Sequence, residues 1–199
     1  MFADIETIDY YERNASAFIG GTAKANMSVI LSGFLACIPQ GGHILDWGCG
    51  SGRDAAVMFT EGYKVTAVDA SHAMCENTRK LVDCDVRNET FSQLCVNEAY
   101  DGIWACASLL HLHKEELPDA FARAHSALKP GAVMYCSFKY GDFAGMSDGR
   151  WFTYLNEESL ERILEGIFSC MKMYVTADVR PGRGNEKWLN CLAFKASKD

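Results

Sequence analysis

Three glycines at alternate positions follow an acid in the stretch Ile44-Leu45-Asp46-Trp47-Gly48-Cys49-Gly50-Ser51-Gly52-Arg53-Asp54. Such spacing lets the backbone turn tightly and brings a ligand against bare peptide N–H groups at the start of a helix. A second acid, Asp69, closes the apolar run Lys64-Val65-Thr66-Ala67-Val68, seventeen residues beyond Gly52. That is the separation of one helix plus one strand. In a doubly wound sheet the two places meet at the carboxyl ends of neighbouring strands, where one carboxylate can accept from both hydroxyls of a ribose. The chemistry served by this combination is the binding of an adenine-containing cofactor.

The spacing separates the candidates. Dinucleotides are bound by Gly-x-Gly-x-x-Gly, whereas this turn reads Gly-x-Gly-x-Gly with Asp46 two residues before its first glycine. A carboxylate there repels a pyrophosphate and holds an ammonium group, which disfavours a nicotinamide oxidoreductase. The turn resembles the first motif of the class I S-adenosylmethionine-dependent methyltransferases. That resemblance implies that Asp46, Gly48, Cys49, Gly50 and Gly52 hold the methionyl end of S-adenosyl-L-methionine, with S-adenosyl-L-homocysteine as product. Arg53 and Tyr11, the latter within Tyr10-Tyr11-Glu12-Arg13-Asn14, are expected to close it. Ala70, Ser71 and Met74 are expected on the adenine side. Asp85, favoured over Asp83, is expected to end the third strand against the adenine amino group, with the Val86 N–H on a ring nitrogen.

The segment from Tyr100 to Leu112, which contains Ala105-Cys106-Ala107-Ser108-Leu109-Leu110-His111, resembles a later motif of the same family. By that resemblance Ala105 and Cys106 offer backbone groups to the methionyl amine, and the Leu-Leu-His segment borders the acceptor. His111 is the candidate proton acceptor, with a structural histidine as the alternative. Leu128-Lys129-Pro130-Gly131 and a terminal hairpin extend the resemblance over nearly the whole chain, and the narrower group it is similar to is the small tellurite-resistance-related methyltransferases. Methyl transfer is a direct displacement, accelerated by alignment and by exclusion of water. A soft or already anionic acceptor, such as a thiolate or a chalcogen oxyanion, needs no strong base, whereas a hydroxyl or ammonium group does. Lys139, Tyr140, Arg150 and Arg180 stand out in an acidic chain as groups that could receive an anionic substrate. The Asn/Asp-Pro-Pro-Tyr motif of base- and protein-amino-methylating enzymes is missing. His111-x-His113 has no third ligand beside it, so no metal is expected.

Bulk properties bound the rest. At 199 residues with 49% hydrophobic content, one globular domain is expected. The net charge of −7 argues against a nucleic-acid partner, and no apolar run is long enough to span a membrane. The acidic amino terminus, Met1 to Glu6, does not read as a secretory signal. Nine cysteines without a Cys-x-x-Cys pair fit free thiols in a reducing compartment. A cytoplasmic monomer or homodimer acting on a small molecule is therefore expected.

The elements that must position these residues follow from periodicity. A helix is expected from Tyr10 to about Phe18, broken by Gly20-Gly21. A second carries Met27, Ile30, Leu31, Phe34, Leu35 and Ile38 on one stripe. Strands are expected at 44–46, 64–69, near 81–84, at 100–105 and at 132–138, with helices after the first, second and fourth of them. A mobile-looking loop with Gly145 and Gly149, a helix capped by Asn156, and strands at about 170–178 and 187–195 complete the chain. The expected fold is α/β: a Rossmann-like class I methyltransferase fold with a seven-stranded, mainly parallel sheet and an antiparallel last strand. Residues 1–40 are read as helices capping the cofactor site, 41–140 as the cofactor-binding core, and 141–199 as the substrate side. The rival readings are a module or partner subunit that binds the cofactor without catalysis, and a macromolecular methyltransferase, disfavoured by charge and size.

Overall fold

Strands alternate with helices from residue 43 to residue 139, except between the third and fourth strands, where only a short 3-10 turn (Phe91–Gln93) intervenes. The computed structural model describes residues 5–22 and 25–197. Two helices, α1 (Ile5–Thr22) and α2 (Ser28–Leu35), precede the alternation. It then runs β1 (His43–Trp47), α3 (Arg53–Thr60), β2 (Lys64–Asp69), α4 (His72–Leu81), β3 (Asp85–Asn88), β4 (Tyr100–Ala105), α5 (Leu117–Ala127) and β5 (Leu128–Lys139). After it come β6 (Ala144–Ser147), β7 (Arg150–Thr153), α6 (Glu157–Leu164), β8 (Cys170–Ala177) and β9 (Lys187–Phe194). Seven strands form one sheet in the order β3-β2-β1-β4-β5-β9-β8. The first five are parallel, and the last strand, β9, runs antiparallel to β5 and β8 on either side of it. This is the fold expected from the sequence.

Alternation along the strands divides the core between the two faces. Leu45, Ile103, Met134, Cys136 and Leu189 point to one side, where Phe121 of α5 and Leu160 and Leu164 of α6 cover them. Ile44, Trp104, Val133, Tyr135 and Leu192 point to the other, under Leu31 and Phe34 of α2 and Met58 of α3. Trp104 and Tyr135 stack at 4.1 Å between centroids with 17° between planes, and Phe34 tilts against Trp104 at 5.1 Å. Each such fully buried side chain contributes roughly 1.5–3 kcal/mol relative to exposure. The tips of the parallel strands are thus held from both sides.

Three local expectations are corrected. The first helix does not end at Gly20-Gly21; α1 runs from Ile5 to Thr22, with Asn14 as a non-helical kink where its side-chain amide donates to the Tyr10 carbonyl at 2.8 Å. Tertiary contacts of α1 hold two glycines that cost roughly 1 kcal/mol each in a helix. The third strand begins where it was expected to end. Helix α4 continues to Leu81, and β3 is a short exposed edge strand whose Asp-Val-Arg-Asn sequence carries no apolar alternation to read. The mobile-looking loop is a β-hairpin: β6 pairs antiparallel with β7 around Asp148-Gly149, both at positive φ (49° and 74°). Asp-Gly is the residue pair that a two-residue turn of this hand favours.

No helix among the described residues is long and apolar enough to cross a membrane, and no group of three or more His, Cys, Asp or Glu side chains among them is arranged to hold a metal ion. Residues 1–4, part of the basis for expecting no secretory leader, lie outside the described residues.

Candidate functional site

A cavity opens at the carboxyl ends of β1, β2 and β4, and the glycine turn forms its floor. Gly48 has φ +88°, and a Cβ there would lie 2.3 Å from the Ser108 Cβ. Gly52 has φ +75° and faces Thr78 at 2.7 Å in the same sense. The turn is therefore open to no side chain at either place, and its N–H groups are partly committed. Gly48 and Cys49 donate to the Val68 carbonyl at 2.8 and 2.9 Å, and Ser108 Oγ donates to the Trp47 carbonyl at 2.7 Å. Strand β2 and the segment after β4 thereby lock the turn.

Two of the acids that line this cavity stand in opposite conditions. Asp69 accepts from the Gly50 N–H at 2.8 Å and the Ser71 N–H at 2.9 Å; burial pushes its carboxyl up, and those backbone bonds oppose the rise. Asp46 is 2% exposed, and its Oδ2 has no hydrogen-bond partner. Burial, followed by repulsion from Asp54, holds its carboxyl well above the ordinary range. A buried carboxylate oxygen without a donor is costly unless something supplies one, and a cationic N–H group in the cavity fits that need.

Beside them Asp54 forms a buried junction. It accepts from Arg53 through two bonds of 2.7 and 2.8 Å and from the Trp104 indole at 3.0 Å. Arg53 also donates to the Thr22 carbonyl at 3.3 Å, which ties α3 to the end of α1.

A second cavity adjoins the first, and Tyr11, Phe18, Thr22, Arg53, Cys106, Ala107 and His111 line both. At this junction the Tyr11 hydroxyl lies 2.8 Å from His111 Nε2, and His111 Nδ1 lies 2.6 Å from the Trp151 carbonyl oxygen. A carbonyl only accepts, so Nδ1 carries a proton. In the neutral ring Nε2 therefore keeps its lone pair and accepts from Tyr11. Burial raises the Tyr11 phenol, while the charge and hydrogen bonding of Arg150 work against the rise. Burial also pushes the Cys106 thiol up, which makes it a wall rather than a nucleophile.

Far-apart segments build this junction. The Trp151 N–H donates to Thr7 Oγ1 at 2.8 Å, and Thr153 Oγ1 donates to the Leu112 carbonyl at 2.7 Å. Those bonds pin the β6–β7 hairpin to α1 and to the Leu-Leu-His segment. Glu12 accepts from Ser71 Oγ at 2.7 Å and from the Ala73 N–H at 3.1 Å, so α1 is clasped to the start of α4. Opposite, Lys139, Arg150, Arg180 and Arg183 line the second cavity with Phe152, Trp188 and Asp178.

The residues singled out from sequence fall as follows. Tyr11, Asp46, Gly48, Cys49, Gly50, Arg53, Asp69, Ala70, Met74, Cys106 and His111 line the first cavity, and Lys139, Arg150 and Arg180 the second. Gly52 lies behind the turn against α4. Ala105 is fully buried beneath the floor and lines neither cavity; Cys106 and Ala107 do. Asp85 is corrected: it opens β3 beside Thr66, is exposed, and pairs with Arg87 at 2.6 Å. Val86 follows it in mid-strand, against Ala67. The acid that does line the cavity past the end of β3 is Glu89, followed by Phe91, whose ring meets Trp47 edge-on at 5.0 Å. A four-residue displacement of β3 accounts for both corrections. Tyr140 is also corrected. It is 38% exposed, lies outside the cavity, and its hydroxyl donates to Glu157 at 2.9 Å. Thr22 was missed because α1 extends past the glycines expected to end it, and Phe18, inside the expected helix, because its place at the cavity depends on segments far along the chain.

Comparison with known proteins places this geometry. Residues 44–131 match the family described as "Methyltransferase domain". An O-methyltransferase of Pyrenophora dematioidea is 30% identical over 101 residues, 46% of this chain, and the chain spans only 37% of the length of that relative. Among solved structures, the Burkholderia thailandensis 1,6-didemethyltoxoflavin-N1-methyltransferase with bound 1,6-didemethyltoxoflavin and S-adenosylhomocysteine superposes with TM-score 0.75. It is 23% identical, with 96% of this chain and 85% of that one covered. Haemonchus contortus phosphoethanolamine N-methyltransferase 2 in complex with S-adenosyl-L-methionine also gives 0.75, at 16% identity, over 96% of this chain and 60% of that one. Over residues 44–131 the chain is thus similar to the methyltransferase-domain family, and as a whole it shares the Rossmann-like fold of these two methyltransferase structures.

Proposed function

We propose that the protein transfers a methyl group from S-adenosylmethionine to a small, anionic molecule. The observation that carries this reading is the buried Asp46 carboxyl beside the glycine turn, whose Oδ2 has no partner. A cofactor with an ammonium group at one end satisfies that oxygen and draws the carboxyl back to its charged form, which a pyrophosphate cannot do. Asp69 would exchange backbone donors for ribose hydroxyls, Ala70, Met74, Glu89 and Phe91 would border the adenine, and Cys49, Gly50 and Arg53 the methionyl end. When bound, S-adenosylmethionine supplies an electrophilic methyl group on a sulfonium. The chain's own part is to align the acceptor, to exclude water under α1, and to hold a proton acceptor, His111 Nε2, at the junction of the two cavities.

The anionic part of the acceptor expectation draws on the cations of the second cavity; no observation favours a thiol or a chalcogen oxyanion in particular. Kinship with the tellurite-resistance-related enzymes rests on the sequence motifs alone. One domain with an amino-terminal cap, cytoplasmic location and a monomer or homodimer complete the proposal. Calorimetric titration with S-adenosylmethionine and S-adenosylhomocysteine, with NADH as control, tests it. Micromolar binding of the first two alone is expected, weakened about tenfold or more in Asp46→Asn. NADH binding, or no binding at all, would overturn the reading. Binding with no turnover on any acceptor would favour the non-catalytic module.

A further inference from the structure

Five cations line the second cavity, and four of them already have carboxylate partners. Arg53 is paired with Asp54 at 2.7 Å, Lys139 with Glu186 at 3.3 Å, Arg183 with Glu186 at 3.0 Å, and Arg180 with Asp178 at 2.5 Å. Arg150 has no carboxylate partner among the described residues. Its guanidinium instead packs among rings, 4.5 Å from the Tyr10 centroid, 5.1 Å from Phe152 and 5.8 Å from Tyr11. Its Nε is buried and donates to nothing. Rings meet the π face of a guanidinium and leave the in-plane edge that carries its buried Nε–H without a carboxylate. That edge is a fork that matches a carboxylate.

The place of this cation narrows the ligand further. Arg150 begins β7, and the carbonyl of the next residue, Trp151, fixes the His111 ring at 2.6 Å. Tyr11 stands between them, with its hydroxyl 2.8 Å from His111 Nε2 and within hydrogen-bonding reach of Arg150. One phenol therefore separates an anion seat from a proton acceptor. A ligand that engages both needs its anionic group and its protic atom close together.

We infer that the acceptor is a small carboxylic acid whose nucleophilic hydroxyl or N–H lies only a few bonds from the carboxylate, with Arg150 as the seat of that carboxylate. This rests on the methyl-transfer reading above and goes beyond it in naming the acceptor class and the residue that selects it. In the step, the nucleophile's lone pair forms the bond to the methyl carbon, and the carbon–sulfur bond breaks with its electron pair remaining on sulfur. The nucleophile's proton passes to the Tyr11 oxygen as the Tyr11 proton passes to His111 Nε2. The resulting imidazolium returns its proton to water when the product leaves.

The experiment uses the full chain and a panel of 2- and 3-hydroxy carboxylic acids, 2-hydroxybenzoate and 2-aminobenzoate, each beside its methyl ester. Methyl transfer from S-adenosylmethionine is measured, and so is calorimetric binding of each compound in the presence of S-adenosylhomocysteine. At least one acid is expected to bind and react, with its ester worse by about tenfold or more, chiefly in KM. Arg150→Gln should abolish the preference for acid over ester, and Arg150→Lys, which keeps the charge and loses the fork, should restore part of it. Both variants should keep wild-type affinity for S-adenosylhomocysteine, which also reports that they are folded. Esters equal to acids, a preference that survives in Arg150→Gln, or no acid bound while the cofactor binds normally would each overturn the inference. Failure to bind the cofactor in the wild type would instead strike the methyl-transfer reading.

Discussion

The two cavities share a wall and are built in different ways. The floor of the first consists of strand tips and one contiguous turn, and its parts are held by backbone bonds such as Gly48 and Cys49 to Val68 and Gly50 to Asp69. The second is assembled from α1, the β6–β7 hairpin and the turn between β8 and β9. Side-chain bonds between distant segments, Thr7 to Trp151 and Glu12 to Ser71, hold α1 in place, and Arg180 pairs with Asp178 within the turn between β8 and β9. A backbone-locked site is rigid and tolerates little change, whereas a side-chain-clasped one can open locally and can vary with its ligand. The difference suits a site that keeps one constant ligand and admits another.

The largest break in this contrast is expected at Gly48. In Gly48→Ala the new methyl must adopt a φ of +88° with the Ser108 Cβ 2.3 Å away. Strain and overpacking together predict a loss of about 3 kcal/mol or more, read from urea melts. A loss below about 1 kcal/mol would mean that the floor can shift and is not the rigid partner described.

Asp69→Asn comes next. It leaves one of the two backbone donors, at Gly50 or Ser71, without a good acceptor, so stability should fall by about 1–2 kcal/mol. S-adenosylhomocysteine affinity should fall about tenfold or more by calorimetry, because an amide cannot accept two hydroxyls as a carboxylate does. Unchanged affinity would separate Asp69 from the cofactor.

Glu12→Gln tests the clasp instead of the floor. Glu12 is held below its ordinary range, first by the Ser71 hydroxyl, and it sits at the positive start of α4. Neutralising it should cost only about 0.5–1 kcal/mol. Hydrogen exchange should quicken along α1 while the amides of β1 and β2 remain as protected as before. Equal acceleration in both would show that α1 does not open on its own.

The same division decides what was legible in the sequence. The glycine turn, Asp46 and Asp69 were readable because their places follow from one helix and one strand of local chain. The fold and its antiparallel last strand followed from periodicity, because the central strands are buried and apolar. Strand β3 was misplaced because an exposed edge strand carries no such pattern, and Asp85 was misassigned with it. The Asp148-Gly149 pair was a usable signal for the hairpin that went unread. The pairing of Tyr11 with His111, the isolation of Arg150 and the inward contacts of Phe18 could not be read locally. Each depends on segments about 40 to 140 residues apart meeting across the cavity, which no short-range propensity encodes.

The last test is at Asp178, where the sign of the effect distinguishes the second cavity's clasp from ordinary surface charge. Burial works against the Asp178 charge, but the side chain and backbone N–H of Arg180 and the Trp188 indole, 3.0 Å away, outweigh it and hold the carboxyl down to about 2. A carboxyl lowered on folding contributes stability that is fully present above its ordinary value and is lost as pH falls through the folded one. The stability gap between wild type and Asp178→Asn should therefore be constant from neutrality down to about pH 5 and should narrow between about pH 4 and pH 2. The Trp188 indole N–H resonance should titrate in that same low window in the wild type and stay flat in the variant. The wall that Arg180 and Trp188 form should loosen while the floor beneath Gly48 does not. A gap that widens on acidification would reverse the sign and show that Asp178 is held protonated. A Trp188 resonance that titrates identically in both proteins would show that some other acid holds the turn between β8 and β9.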